Sequence, residues 1–314
     1  AERVRLGWTD AAEPRMVVTA DGYDDEAIAG AVYRHATACL APSSWIGCDL
    51  QAEPWKGRNA VFSPRVKAPK FMKQWQSLQA KRIQGTDHEM EDATAPGYDI
   101  DLEFIGALGE PAYWYFTSNG SEPDGGASRW EMKTRNQGQD FVRNRLRQLN
   151  RIVAARDVVA IVSGLTGRTV EDEAYKGKRS DESRTATGLT SPRFTDSVLA
   201  WCALWGISSF PVIHRIMRVS VTAGAVPIGR FNPTHLVLPV LVGPRTLERW
   251  RAMVVSEQII RAVTNSGDVA AGVPERAWLM AHGVRAILTF RFYVSDNSKA
   301  PERSLGAGML EVMT

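Results

Sequence analysis

The chain lacks most of the signatures that mark an enzyme. Its 314 residues contain no G-x-S-x-G elbow, no H-E-x-x-H, no G-x-G-x-x-G and no G-x-x-x-x-G-K-[ST] loop. The sequence therefore offers no basis for serine hydrolysis, zincin chemistry, dinucleotide binding or P-loop nucleotide binding. Cysteine is scarce: Cys39, Cys48 and Cys202 are the only three, none in C-x-x-C spacing. That argues against a zinc site built from cysteines and for reduced thiols in a reducing compartment. No apolar run approaches the roughly 18 residues of a membrane span. The opening residues AERVRLGWTD hold no apolar signal-peptide core. A cytoplasmic protein without a membrane partner is the expectation. Charge of one sign is also modest: the net charge is +3 and the pI about 8.8. That excess alone does not establish a polyanion partner, but it permits a locally basic face.

What is present is ordinary globular composition, 44% hydrophobic and 23% charged, enough to bury a core without staples. Ten tryptophans stand out, and any left exposed would mark an assembly surface. The basic residues are uneven. Ser128–Arg151, SRWEMKTRNQGQDFVRNRLRQLNR, carries seven of them against Glu131 and Asp140. From about Gln139 it has a helical period, with Val142, Leu146, Leu149 and Val153 on one stripe. Arg143, Arg147 and Arg151 recur at i, i+4 and i+8 as a neighbouring stripe, and Arg145 lies between them. Such a row can follow a phosphate backbone, and arginine forks onto phosphate better than lysine. Ahead of it, Lys133 and Arg135 add charge, while Asn136 and Gln137 offer amides for polar readout. A solvated basic face paired with acidic loops is the plainer alternative.

Elsewhere the pattern is structural. Arg15–Ala20 reads as a strand. Asp24 and Asp25 read as an N-cap region for a helix to about Leu40, with Ile28, Val32, His35, Ala36 and Cys39 on one face. His35 there is expected to be a core histidine rather than a ligand, and Cys39 and Cys202 to be core thiols. Residues 41–70 are broken by Pro42, Pro54, Pro64 and Pro69, with Trp45, Trp55 and several basic residues interleaved; a solvated loop pinned to the body by its tryptophans is expected, with stacking plus phosphate contacts as the other reading. Phe71–Ile83 reads as a short amphipathic helix. The acidic run from Asp87 to Glu103, with His88, is expected to be a solvated loop; a hard-metal hydrolase is the other reading of it. Residues 118–128 are turn-rich and mark a boundary between regions 1–127 and 128–314. Residues 164–193 read as a long loop in which Lys176, Lys178, Arg179 and Arg184 could reach phosphate. Phe194–Phe210 is apolar almost all round, so it is a buried helix, capped by Thr195 or Asp196. Residues 245–264 read as one helix, Glu275–Ala281 as another ended by Gly283, and Val284–Val294 as a strand. His214, His235 and His282 are isolated in sequence.

Three segments together resemble a known family. RWEMKTRNQGQDFVRNRL is similar to a Lys-plus-Gly-Gln segment before a helix. SRTATGLTSPRFTDSVLAWCALWGISSFPV resembles a Ser/Arg-rich loop followed by a buried helix ending in Gly and aromatic-Pro. LPVLVGPRTLERWRAMVVSEQI with HGVRAILTFRFYV resembles a strand, helix and Gly-Val-strand ending. The family is the large subunit of type I CRISPR effector complexes (Cascade), of the type I-G/U-like kind, and the similarity covers residues 128–314. It implies a non-catalytic subunit that helps recognise the motif beside the target and holds the opened DNA, while the guide RNA supplies sequence specificity. Its partners would be crRNA or target DNA and sister subunits.

The sequence thus leads to an α+β fold of mixed helices and short antiparallel strands, with a mainly helical C-terminal part. No cofactor is implied. The candidate contacts to nucleic acid are Lys133, Arg135, Asn136, Gln137, Arg143, Arg145, Arg147, Lys176, Lys178 and Arg179. A metal-dependent hydrolase using the 87–103 acids and a structural assembly subunit are the alternatives.

Overall fold

The computed structural model describes residues 4–47, 61–62, 72–91, 98–108, 115–117, 120–122, 142–174, 195–206, 224–227, 233–264, 272–294 and 303–313. The fold is α+β, and the chain forms two compact units, 1–23 with 215–314, and 24–214. The turn-rich residues 118–128 fall within the span of the second unit and lie largely outside the described residues.

The first unit is built on antiparallel strands. β1 (Val4–Trp8) pairs with β2 (Met16–Ala20) and with the short β7 (Arg245–Thr246). A second sheet has the order β5-β6-β8-β9, from β5 (Ala225–Val226), β6 (His235–Leu241), β8 (Val284–Val294) and β9 (Arg303–Val312). Leu288 sits opposite both Leu238 and Leu310, and Val240, Ala286 and Leu288 form a buried cluster with Trp8 packed on it. At the head of the sheet Gly224 has φ +68°, and a Cβ there would stand 2.7 Å from the Val237 carbonyl. Only glycine accepts both the left-handed backbone and that approach.

The predicted helix over 245–264 is two helices, α7 (Leu247–Val254) and α8 (Glu257–Thr264). Ser256 makes the break. Its hydroxyl donates to the Met253 carbonyl at 2.8 Å and accepts from the Ile259 N–H at 3.4 Å, so it closes one helix and opens the next. α9 (Val273–Ala281) starts with Pro274 in its first turn and ends at Gly283, φ +88°.

The second unit is mainly helical. α1 (Asp25–Ala38) is capped by Asp24, whose carboxylate accepts from the Ala27 N–H at 2.8 Å. α2 (Met72–Glu91) runs well past the expected end at Ile83, and α3 (Tyr98–Leu108) follows. The acidic run is therefore helical over 87–91 and from Tyr98 onward, where a loop was expected. β3 (Tyr115–Thr117) and β4 (Gly120–Glu122) form a small hairpin. A π-helical turn, Val142–Leu146, leads into α4 (Arg147–Ala155), then α5 (Val158–Leu165) and α6 (Ser197–Trp205). The core joins Ala36 of α1, Leu78 of α2, Phe104 of α3, Leu149 and Val153 of α4, Ile161 of α5, and Val198, Trp201 and Trp205 of α6.

One partly buried ion network ties the ends of these helices, with Arg156 and Asp196 buried and Glu173 at the surface. Arg156 donates to Asp196 Oδ1 at 2.8 Å, to both Glu173 oxygens at 2.8 Å and to the Glu171 carbonyl. Asp196 also caps α6 through the Val198 N–H. Burial alone would raise the Glu173 carboxyl, but the Ser197 hydroxyl and the Arg156 guanidinium outweigh it and hold Glu173 below the usual carboxylate range. Gly164 of α5 lies against this network; a Cβ there would meet Asp196 Cγ at 2.8 Å and Arg156 Nη1 at 3.0 Å.

Two outcomes follow from the network. Gly164→Ala should destabilise the protein by about 1–3 kcal/mol in urea unfolding, because the added methyl displaces a packed ion pair. Glu173→Gln should also destabilise it near neutrality. A carboxyl with a depressed folded pKa contributes stability above its unfolded pKa and loses it as the pH falls through the folded value. The gap between wild type and Glu173→Gln should therefore close in acid, and a constant gap would refute the assignment.

Candidate functional site

The arginine-bearing segment is amphipathic in the way its sequence requires. Val142, Leu146, Leu149 and Val153 are all buried, so the apolar stripe faces the core. α4 packs against both α1 and α6. The packing on α6 has a polar component, since the Trp201 indole N–H donates to the Asn150 side-chain oxygen. Asn150 thereby directs the register between α4 and the all-apolar helix, a role its sequence position did not reveal.

The arginines divide into two groups. Arg145 and Arg151 are exposed, and among the described residues neither has an ion-pair partner. Arg147 points the other way: its Nε donates to the Ile46 carbonyl at 2.9 Å, and Nη2 donates to the same oxygen. That oxygen belongs to the irregular 40–47 segment, which has no helix or strand to satisfy it, so a long donor from α4 serves it instead. The i, i+4, i+8 row is thus interrupted at its middle member. Arg143 lies in the π-helical turn. Lys133, Arg135, Asn136 and Gln137, and likewise Lys176, Lys178 and Arg179, lie outside the described residues.

A second polar constellation lies inside the helical unit. His35 is part of the core, as expected, but its surroundings are unusual. The edges and faces of Trp201 and Trp205 enclose it, with ring centroids 5.7 and 4.4 Å away. Its Nε2 is buried without a hydrogen-bond partner, and stands 3.9 Å from Asp101 Oδ2. Burial pushes the imidazole down to about 4, so it is neutral near pH 7. Asp101 was expected in a solvated loop. It is buried instead, and its Oδ1 accepts from the Trp45 indole N–H at 2.5 Å. Cys39, one turn beyond His35, is also buried. Among the described residues, His35, Cys39 and Asp101 form the one cluster of this kind that could hold a metal ion, with donor atoms within 4.8 Å of one another. The Cys202 thiol is also largely buried, which pushes it up to about 11 and leaves it a poor nucleophile.

No protein-family model, curated protein or solved structure matches the chain. No helix among the described residues is long and apolar enough to cross a membrane.

The division of the arginines has a direct consequence. Arg147→Ala should lower stability by about 1–3 kcal/mol, since it leaves a half-buried carbonyl without its donor. Arg145→Ala and Arg151→Ala should stay within about 0.5 kcal/mol of wild type, as exposed substitutions do. Thermal or urea unfolding of the three variants checks this; equal losses would show that Arg147 is not committed inward.

Proposed function

We propose that the chain is a non-catalytic nucleic-acid-binding subunit of an RNA-guided, DNA-targeting complex of the CRISPR type I kind. The single observation that carries the binding part is the α4 face. The π-helical turn and α4, pinned to the core by Val142, Leu146, Leu149 and Val153, present Arg145 and Arg151 to solvent with no internal anion among the described residues to neutralise them. Unpaired guanidinium groups on a segment anchored to the core suit a phosphate backbone, because no internal ion pair has to be broken on binding. Lys133 and Arg135 precede this helix in sequence and Lys176, Lys178 and Arg179 follow it, so they are the further phosphate-binding residues of this reading. Asn136 and Gln137 are its candidates for polar readout. The resemblance of residues 128–314 to effector-complex large subunits supports the assignment to a guided complex, with crRNA or target DNA and sister subunits as partners and the cytoplasm as its compartment. The competing hydrolase reading loses one of its acids, since Asp101 is turned into the core and hydrogen-bonded to Trp45.

Binding of fluorescein-labelled single-stranded DNA, duplex DNA and RNA to the purified chain tests this reading across a salt series. Affinity should fall steeply with salt. Arg145→Ala with Arg151→Ala should reduce the magnitude of the log–log slope by about 1.5–2, close to one unit for each phosphate left without its arginine. Wild-type slope and affinity in that double variant would sink the proposal.

A further inference from the structure

We propose that His35, Cys39 and Asp101 are the protein ligands of a zinc ion that clamps α1 to α3 inside the helical unit. This inference is independent of the nucleic-acid reading and concerns a different part of the same unit.

The placement comes first. His35 and Cys39 are four residues apart on α1 and its C-cap, so one helical face presents an imidazole above a thiol. Asp101 reaches them from the first turn of α3. A four-coordinate zinc with bonds of about 2.0–2.3 Å needs ligand atoms about 3.3–3.8 Å apart. The three donors already lie within 4.8 Å of one another, and the nitrogen–oxygen pair stands at 3.9 Å. That separation is too long for a hydrogen bond and close to a tetrahedral edge. Small side-chain rotations close the remainder.

The chemistry of the donors agrees. A buried ring nitrogen without a hydrogen-bond partner is costly to keep, and His35 Nε2 is such an atom. A neutral imidazole can turn a ring-nitrogen lone pair toward a cation. Thiolate, carboxylate and neutral imidazole carry two negative charges together, which a dication cancels; a neutral site is the form that tolerates burial. Cys39 gives up its thiol proton to solvent as the sulfur binds. Mixed sulfur, nitrogen and oxygen donors suit zinc and disfavour magnesium and calcium, which take oxygen alone.

The surroundings also resemble the outer shell of a metal site. The Trp45 indole holds Asp101 Oδ1 and leaves Oδ2 on the His35 side. Trp201 and Trp205 fix the plane of the imidazole. Partners that orient ligands in this way are a regular companion of bound metals. All three ligands are buried or nearly so, and water completes the fourth position, as in sites with three protein ligands.

Metal analysis and cobalt spectroscopy of the full chain provide the test. After chelator treatment, reloading with Zn²⁺ and desalting, the protein should retain one zinc per chain and unfold at a higher temperature than the chelated form. Loading with Co²⁺ should give four-coordinate d–d bands and a sulfur-to-cobalt charge-transfer band. Cys39→Ser should abolish the charge-transfer band, and His35→Gln or Asp101→Asn should weaken retention at least tenfold. Because a core variant can fail to fold, Cys48→Ser with Cys202→Ser provides the second route. It leaves Cys39 the sole thiol, and it should keep the band in full. A folded wild type that retains no zinc and shows no cobalt bands overturns the proposal, as does a charge-transfer band that survives Cys39→Ser or disappears from the Cys48/Cys202 double variant.

Discussion

Helix α6 carries almost no polar side chain, and the helical unit covers most of it, though Leu199 and Ala203 stay exposed where an all-round buried helix was expected. Val198, Trp201 and Trp205 are buried, and Ala200, Cys202 and Leu204 pack partly against the same core. Burying so much indole removes a large apolar area from water, but it also carries N–H donors into a place where unmade hydrogen bonds are expensive. The acceptors must come from neighbouring helices. Asn150 of α4 serves Trp201, and Asp101 of α3 serves Trp45, whose ring stacks edge-on with Trp205. Tryptophan packing sets the bulk of this core. The few polar groups inside it set the relative register of α3, α4 and α6.

Register decides which arginines face outward. With Asn150 turned to α6 and Leu149 and Val153 in the core, Arg151 is left in solvent, and one residue before the helix Leu146 is buried while Arg145 is exposed. Three other arginines are drawn inward, each for a nameable reason. Arg82 donates to the Val61 carbonyl, Arg147 to that of Ile46, and Arg156 to a carboxylate pair and the Glu171 carbonyl. The acceptors belong largely to irregular segments, where backbone oxygens have no ladder to join. Arginine suits this duty because its stem tolerates apolar neighbours while its fork reaches several oxygens. A count of basic residues therefore overstates the charge available to a ligand.

This sorting explains what the sequence could and could not tell. α1 with its Asp24 cap, the Val142–Val153 stripe, α6 and β8 were legible, because each is specified by local periodicity or a local cap. The break between α7 and α8 depends on one serine hydroxyl choosing a backbone partner, and serine is found in helices often enough to hide that. α2 runs into acidic residues that read as loop, since charge alone carries no period. β1 and β9 were missed: VRLGW is short, and RSLGAGMLEV is weakened by two glycines, yet both find antiparallel partners. Asp101 and Arg147 were misjudged for a common reason. Their partners, Trp45 and Ile46, lie 56 and 101 residues away in the chain. A charged side chain reads as exposed until the group that satisfies it is known.

The same reasoning makes His35 the most informative residue in the core. Asp101, Arg82, Arg147 and Arg156 each meet a polar partner, while Asn150 accepts from Trp201 through its oxygen and leaves its buried Nδ2 without one. Nε2 of His35 is likewise buried without a hydrogen-bond partner, and it faces a carboxylate oxygen and lies one helical turn from a thiol. The charged form of the ring is disfavoured by burial, and a direct bond to Asp101 is disfavoured by distance. A dication between the three side chains removes both difficulties and cancels their charge. It would also stiffen α1, on which α4 packs, so a clamp between α1 and α3 would steady the helix that carries Arg151 and the turn that carries Arg145. Removal of the ion would then reach the basic face through packing, without the two sites touching.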